Sequence, residues 1–330
     1  MMKIVFSLFP VLFFLLFLFL FDSFKLVVKK NLALCIAWGM ISAGIAYVIN
    51  SMLFQKFNLD FKFVSHYISP FSEELLKCIF ILFLLQKKRI GFMIDAAIYG
   101  FAIGAGFALV ENIVYMYNLN SPDLLTWIIR GFGTAIMHGG CSSLIAIILA
   151  GARNREVSNF IFFILALLTA CVIHSLFNHF YISPILQTLG IVVLFPVIFT
   201  LVFRLNEKQL QNWLEIEFSS EVELLTMIKK GKFRHTKSGQ FLSALKDRFA
   251  PEVLVDMYCY ISLYLELSIK AKRNMMLREN GFSSIIEDDI AEKLKELSQL
   301  RKQIGKIGEL TLSPLIRMNY RDLWKLNSLT

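Results

Sequence analysis

Up to about residue 205 the chain alternates long apolar blocks with short polar breaks, and each block is about 20 residues long. That length crosses a hydrocarbon core of ~30 Å as an α-helix. The pattern predicts seven spans, at 4–21, 32–54, 66–86, 93–118, 124–151, 157–181 and 185–203. The first, within "KIVFSLFPVLFFLLFLFLF", competes with a secretory signal peptide. Its 18 residues exceed the usual apolar region of such a peptide, and no small-x-small cleavage site follows before "KLVVKK", so an uncleaved first helix is expected.

From Arg204 onward the pattern changes. The last 127 residues carry 21 Lys or Arg against 17 acids, and the segment "SSEVE" spaces Ser220 and Glu223 as a capping box, which predicts a helix start. The run "VLVDMYCYISLYLELSIKAKR" is apolar but broken by Asp256 and Glu266, so it reads as a buried amphipathic helix and not an eighth span. Opposite charges at i, i+4 run through "EDDIAEKLKELSQLRKQIGK". The expected fold class is all-α: a polytopic transmembrane helix bundle over residues 1–204 and an all-helical cytoplasmic domain over 205–330, the latter with no recognisable chemistry.

Composition supports this division, since 56% hydrophobic residues and a mean hydropathy of +0.61 argue against a single soluble domain. Charge in the loops sets an orientation. Lys25, Lys29, Lys30, Lys87, Lys88, Arg89, Arg153 and Arg155 fall on one side, and Lys3, Lys56 and Lys62 on the other. That eight-to-three split predicts a multi-pass protein of the cytoplasmic membrane, N-terminus outside and C-terminus in the cytoplasm. The net charge of +9 then reads as orientation and lipid contact, with no nucleic-acid partner. Of five cysteines, Cys35, Cys78, Cys141 and Cys171 lie in spans and Cys259 in the cytoplasmic part; none has ligand spacing to another.

Ionisable residues inside spans are functional candidates, because each is costly in hydrocarbon. They are Glu73, Glu74 and Lys77 in the third span, Asp95 and Glu111 in the fourth, Arg130 and His138 in the fifth, and His174 and His179 in the sixth. At ~1.5 Å per residue, Glu74 lies about eight residues below the outer face, and Glu111 and His174 about seven. His138 joins that level if Arg130 reaches back to the outer interface. Four helices thus bring polar groups to one depth. Lys77 stands at i+4 from Glu73 and i+3 from Glu74, so it can neutralise one carboxylate. His174 and Asn178 share a face at i, i+4 and can hold one ligand between them. Asp95 and Arg130, near opposite ends of their spans, read as anchors, and His179 points away from His174. Glycines in "GFAIGAGF" and "RGFGTAIMHGG" allow close helix approach beside Glu111 and His138.

Taken in order, "EELLK" (Glu73, Glu74, Lys77), "FALVEN" (Phe107, Glu111, Asn112), His138 in "MHGG" and "HSLFN" (His174, Asn178) resemble the PrsW family of membrane-embedded proteases. That family looks related to the CAAX prenyl endopeptidases and bacteriocin-processing proteins. Here Glu111 stands where the CAAX enzymes place His. The resemblance covers about residues 35–205 and implies proteolysis of a single-span membrane protein near the outer face, as in a first regulatory cut.

The roles implied are catalytic for Glu73, Glu74, His138 and His174, and supporting for Lys77, Glu111, Asn112 and Asn178. Glu74 is the expected general base, although the residues leave open which of the two glutamates serves. Glu111, His138 and His174 offer a carboxylate and two imidazoles, a set that zinc accepts with one position free. Without an H-E-x-x-H segment, zinc-dependent and metal-free chemistry both remain open. A proton- or ion-coupled carrier and a non-catalytic scaffold acting through its tail are the competing readings, although no internal repeat favours the carrier. The tail's partner is not indicated.

Overall fold

The computed structural model describes residues 2–22, 25–119, 123–154, 159–285, 287–313 and 315–316, and within them every regular element is helical. Arg155 of the charge count and residues 120–122 of the "NLNSPD" loop lie outside the described residues. The chain divides into two compact units, Met1–Asn206 and Glu207–Thr330.

In the first unit α1 is Met2–Leu20, α2 Lys29–Phe57, α3 Ser69–Gln86, α4 Met93–Asn118, α5 Ala135–Asn154 and α6 Asn159–His179. α7, Pro184–Lys229, begins there, and the division between units falls within it. Two of these helices are entered through π-helical turns: Val64–Ile68 leads into α3, and Ile129–Thr134 leads into α5 from the short helix Leu124–Ile128. Such i→i+5 turns are rare and collect at functional sites.

Six helices among the described residues are long and apolar enough to cross a membrane: Met2–Leu20, Lys29–Phe57, Met93–Asn118, Leu124–Arg153, Phe160–His179 and Pro184–Lys208. α3, expected as one of seven, is not among them. It has 18 residues, but Glu73, Glu74 and Lys77 lie inside it.

α4 is the axis of the bundle. Every residue from Ile94 to Leu109 is buried, and α1, α2 and α5 all pack on it. Small residues permit this: a Cβ on Gly106 would come within 2.1 Å of the Ile36 carbonyl oxygen of α2, and one on Gly39 within 2.0 Å of that of Ile103. Backbones so close gain their stability from packing, the term that operates in lipid. The outer helices instead expose apolar faces, such as Phe9, Phe13 and Phe17 on α1, Leu165, Leu168 and Val172 on α6, and Leu189, Val193 and Val197 on α7. Exposed apolar surface on this scale suits a hydrocarbon solvent.

The second unit continues with α8 (Lys237–Ala244), α9 (Pro251–Glu279) and α10 (Ile290–Leu312). α9 contains the apolar run broken by Asp256 and Glu266, and buries Met257, Tyr260, Ile261, Tyr264 and Leu267 against Leu297, Leu300 and Ile304 of α10. The expected helix start at Ser220 is a correction. α7 runs through that position without a break, and Ser220 Oγ donates back to the Glu217 carbonyl 3.1 Å away, a bond that a serine inside a helix can make as readily as a cap.

Candidate functional site

Helix geometry alone brings the first pair together. Glu74 and Lys77 are one turn apart on α3; Lys77 Nζ lies 2.5 Å from Glu74 Oε1, and both side chains are fully buried. His174 of α6 reaches the same oxygen with Nδ1, at 2.9 Å. Because a carboxylate only accepts, His174 Nδ1 carries a proton, and in the neutral ring that a metal requires Nε2 has the lone pair. Glu74 Oε2 is buried with no hydrogen-bond partner.

His138 links this pair to α4. Its Nδ1 is 3.1 Å from Lys77 Nζ and its Nε2 is 3.0 Å from Glu111 Oε2. An ammonium only donates, so Nδ1 accepts from Lys77, and Nε2–H donates to Glu111. The ring stands edge-on to His174, centroids 4.7 Å apart, with Phe107 at 4.9 Å. The Phe107 ring also lies 4.5 Å from Lys77 Nζ, so that one aromatic wall backs both groups. The α4–α5 contact holds His138 at this depth: a Cβ on Gly104 would fall 2.2 Å from the His138 carbonyl oxygen.

Glu73, adjacent to Glu74 and turned about 100° around the helix, faces the other side of His174, with Oε2 3.8 Å from Nε2. One ligand atom each from Glu73, His138 and His174 lie within 4.8 Å of one another, a group able to hold a metal ion. The set expected from the sequence had Glu111 in place of Glu73. In the structure Glu111 is engaged by His138 and by Arg130, whose Nη2 is 3.3 Å from Glu111 Oε1. The residues present suit a divalent cation on two counts. Glu73 Oε2 is buried with no hydrogen-bond partner, and three carboxylates (Glu73, Glu74, Glu111) face only two permanent cations (Lys77, Arg130). A buried carboxylate left unpaired is costly, and a metal ion removes that cost. His174 bonds a carboxylate through Nδ1 and turns Nε2 toward Glu73, the arrangement that orients a histidine ligand. His138, in contrast, bonds Glu111 through Nε2 and would need Lys77 to release its Nδ1 before it could ligate.

Of the supporting residues, Asn112 donates from Nδ2 to the Ser7 carbonyl at 2.8 Å and accepts from Arg130 Nε at 2.9 Å. Asn178 also has a structural contact. Its Nδ2 donates to the Ser65 carbonyl in the π-helical turn before α3, 2.9 Å away, so it ties that turn to α6. Ser175 does the same through the His66 carbonyl at 2.6 Å. His179 bonds the Tyr67 hydroxyl at 3.2 Å and stacks on His66, away from Glu74 as expected. Asp95 is fully buried and accepts from the Gly91 and Phe92 amides at 2.7 and 2.8 Å, reaching back from the first turn of α4 to the N-cap residue Phe92. Arg130, expected at the membrane interface, instead turns inward to Glu111 and Asn112. Its only sequence signal was a lone guanidinium within an apolar span.

The sequence model of the PrsW family, described as intramembrane metalloproteases, matches residues 28–203, more than half of the chain and all of the residues just described except Ser7. No curated protein and no solved structure matches the chain.

Proposed function

The chain belongs to the PrsW family of intramembrane metalloproteases, and from that premise we propose that the cluster on α3, α4, α5 and α6 is its peptidase site, acting on a single-span membrane protein. The observation that carries this reading is the convergence of Glu73, His138 and His174 on one point, beside a buried Glu74 with a free oxygen.

In this reading Glu73, His174 and His138, the last once Lys77 has released its Nδ1, would hold zinc, which would supply Lewis acidity and make a water more acidic. Glu74 is the general base. Its Oε1 is occupied by Lys77 and His174, and its unpartnered Oε2 is the position from which to take a proton from water and return it to the leaving amine. Lys77 keeps Glu74 ionised in a dry setting, and it is also the nearest ammonium for an oxyanion. Glu111 fixes the His138 tautomer through Nε2–H. Asn112 supports the site from behind Glu111, and Asn178 secures the turn leading into α3.

α3 crosses the membrane as a seventh span, since its ion pair is neutralised within the bundle and not exposed to lipid. The eight-to-three loop split then puts the N-terminus outside, the C-terminus in the cytoplasm and the site in the outer half of the bilayer. Residues 205–330 form a cytoplasmic helical domain that serves regulation or partner choice.

Co-expression with candidate single-span substrates tests the reading. Wild type is expected to cleave one of them, and E74Q and H174A are not. Unchanged cleavage in both variants would sink the assignment.

A further inference from the structure

We infer that Arg130 is a positioning residue of the site: it clamps Glu111 so that Glu111 can orient His138 and stays out of the group Glu73, His138 and His174. The inference rests on the reading of that group as the metal site. It is carried by a continuous chain of contacts. The Ser7 carbonyl of α1 fixes Asn112 Nδ2 at 2.8 Å, and Asn112 Oδ1 accepts from Arg130 Nε at 2.9 Å. Arg130 Nη2 lies 3.3 Å from Glu111 Oε1, an ion pair without a hydrogen bond, and Glu111 Oε2 accepts from His138 Nε2 at 3.0 Å. Below the guanidinium the Tyr115 ring centroid is 3.6 Å from Arg130 Cζ, so the plane of the fork is also fixed.

Local backbone structure explains how an arginine expected at the interface does this. Arg130 lies in the π-helical turn Ile129–Thr134, and an i→i+5 turn takes up one extra residue and shifts the face on which the preceding side chains lie. The same turn contains Gly131 and Gly133; a Cβ on Gly131 would come within 1.8 Å of the Phe6 carbonyl oxygen of α1, so α1 presses directly on the turn that aims Arg130. A guanidinium suits the task because its planar fork can hydrogen-bond Asn112 through Nε while Nη2 pairs electrostatically with Glu111, which an ammonium cannot do in fixed geometry.

Glu111 has two oxygens with different duties. Oε2 accepts from His138 Nε2–H and so keeps the lone pair on Nδ1, where it accepts from Lys77 and from which Lys77 would have to withdraw for His138 to bind a metal. Oε1, without Arg130, is a spare anionic donor close to a cation site. Arg130 occupies that oxygen. Groups that orient histidine ligands from behind typically change metal affinity by about 10- to 100-fold when removed.

The test is zinc titration of the purified full-length protein in detergent against a chromophoric chelator. R130M and E111Q are each expected to weaken binding by roughly 10-fold or more, and R130M/E111Q no further than the weaker-binding single variant, because both act through His138. A merely structural arginine would lower the melting temperature of the zinc-free protein and leave zinc affinity unmoved. Wild-type affinity in R130M, or losses that multiply in the double variant, would overturn the inference while the metal reading stands. Absence of zinc binding by the wild type would overturn the metal reading itself and this inference with it. If R130M does not fold, R130K decides: it keeps the charge without the two-point hold, a several-fold loss is expected, and wild-type affinity counts against the proposal.

Discussion

Lys77 Nζ lies 2.5 Å from Glu74 Oε1, with both side chains completely buried, so each charge compensates the other, helped by His174 on Glu74 and His138 on Lys77. Breaking a buried pair from one side costs about 3 to 5 kcal/mol, since it leaves an uncompensated charge. K77M is therefore expected to lower stability by that order, and E74Q/K77M to recover a large part of the loss. Thermal unfolding of the purified variants as a double-mutant cycle checks this; equal losses in the single and double variants would show that the pair is not coupled.

Glu73 has no cation of its own and a buried oxygen without a hydrogen-bond partner. E73Q is expected to abolish stoichiometric zinc binding while leaving the protein as stable as wild type or slightly more so without metal, because a costly unpaired carboxylate is removed. Metal content by mass spectrometry, set beside the melting temperature, checks both halves. Full zinc occupancy in E73Q would remove Glu73 from the ligand set.

Gly104 is where α4 and α5 meet at the site. An added methyl would fall 2.2 Å from the His138 carbonyl oxygen, whereas one on Gly44 meets nothing within 4 Å. G104A is expected to cost about 1 to 3 kcal/mol and to weaken zinc binding by displacing His138. G44A is expected to be neutral or to stabilise by up to ~1 kcal/mol through helix propensity. Equal melting temperatures for G104A and G44A would contradict the close-contact account.

How much of this was readable in advance depends on the physical quantity involved. Hydropathy and period gave the apolar helices of the first unit but not the run of α7 on to Lys229, and depth along each helix put Glu74, Glu111, His138 and His174 at one level. The ordered motifs also carried the family resemblance, which the family match bears out. Depth says nothing about direction around the axis. Glu73 and Glu74 differ by one residue and about 100°, so the presence of Glu73 in the group able to hold a metal ion was invisible to a reading by level. The π-helical turns were hidden too, because they leave no hydrophobic signature. One of them turned Arg130 inward, and the other offered its carbonyls to Asn178. In the second unit the amphipathic run was legible as α9, but the local spacing of Ser220 and Glu223 lost to the continuous helix of α7.

The second unit carries its own pH signature. Hydrogen bonds from Lys270 and Arg273 hold the Glu287 carboxyl below its ordinary range, and at Glu266 the pull of Lys293 and Lys270 outweighs the upward push of burial. Asp289 and Glu266 in turn raise Lys293. Carboxylates with depressed folded values contribute stability at neutral pH that is lost as pH falls through those values, and a raised lysine contributes stability that is lost only as pH rises through its own. Protease resistance of residues 207–330 in the full chain is therefore expected to be flat around neutrality and to fall below about pH 4. E266Q/E287Q should shrink that fall; an acid response identical to wild type would contradict the ion-pair account.

The central claim, that the four-helix cluster is a working peptidase site, is tested most directly by comparing membrane-protein termini in cells producing wild type or E74Q at matched levels. The account predicts new termini within or beside single spans that appear with wild type and vanish with E74Q. Identical sets of termini in the two cells, with both proteins folded in the membrane, would contradict it.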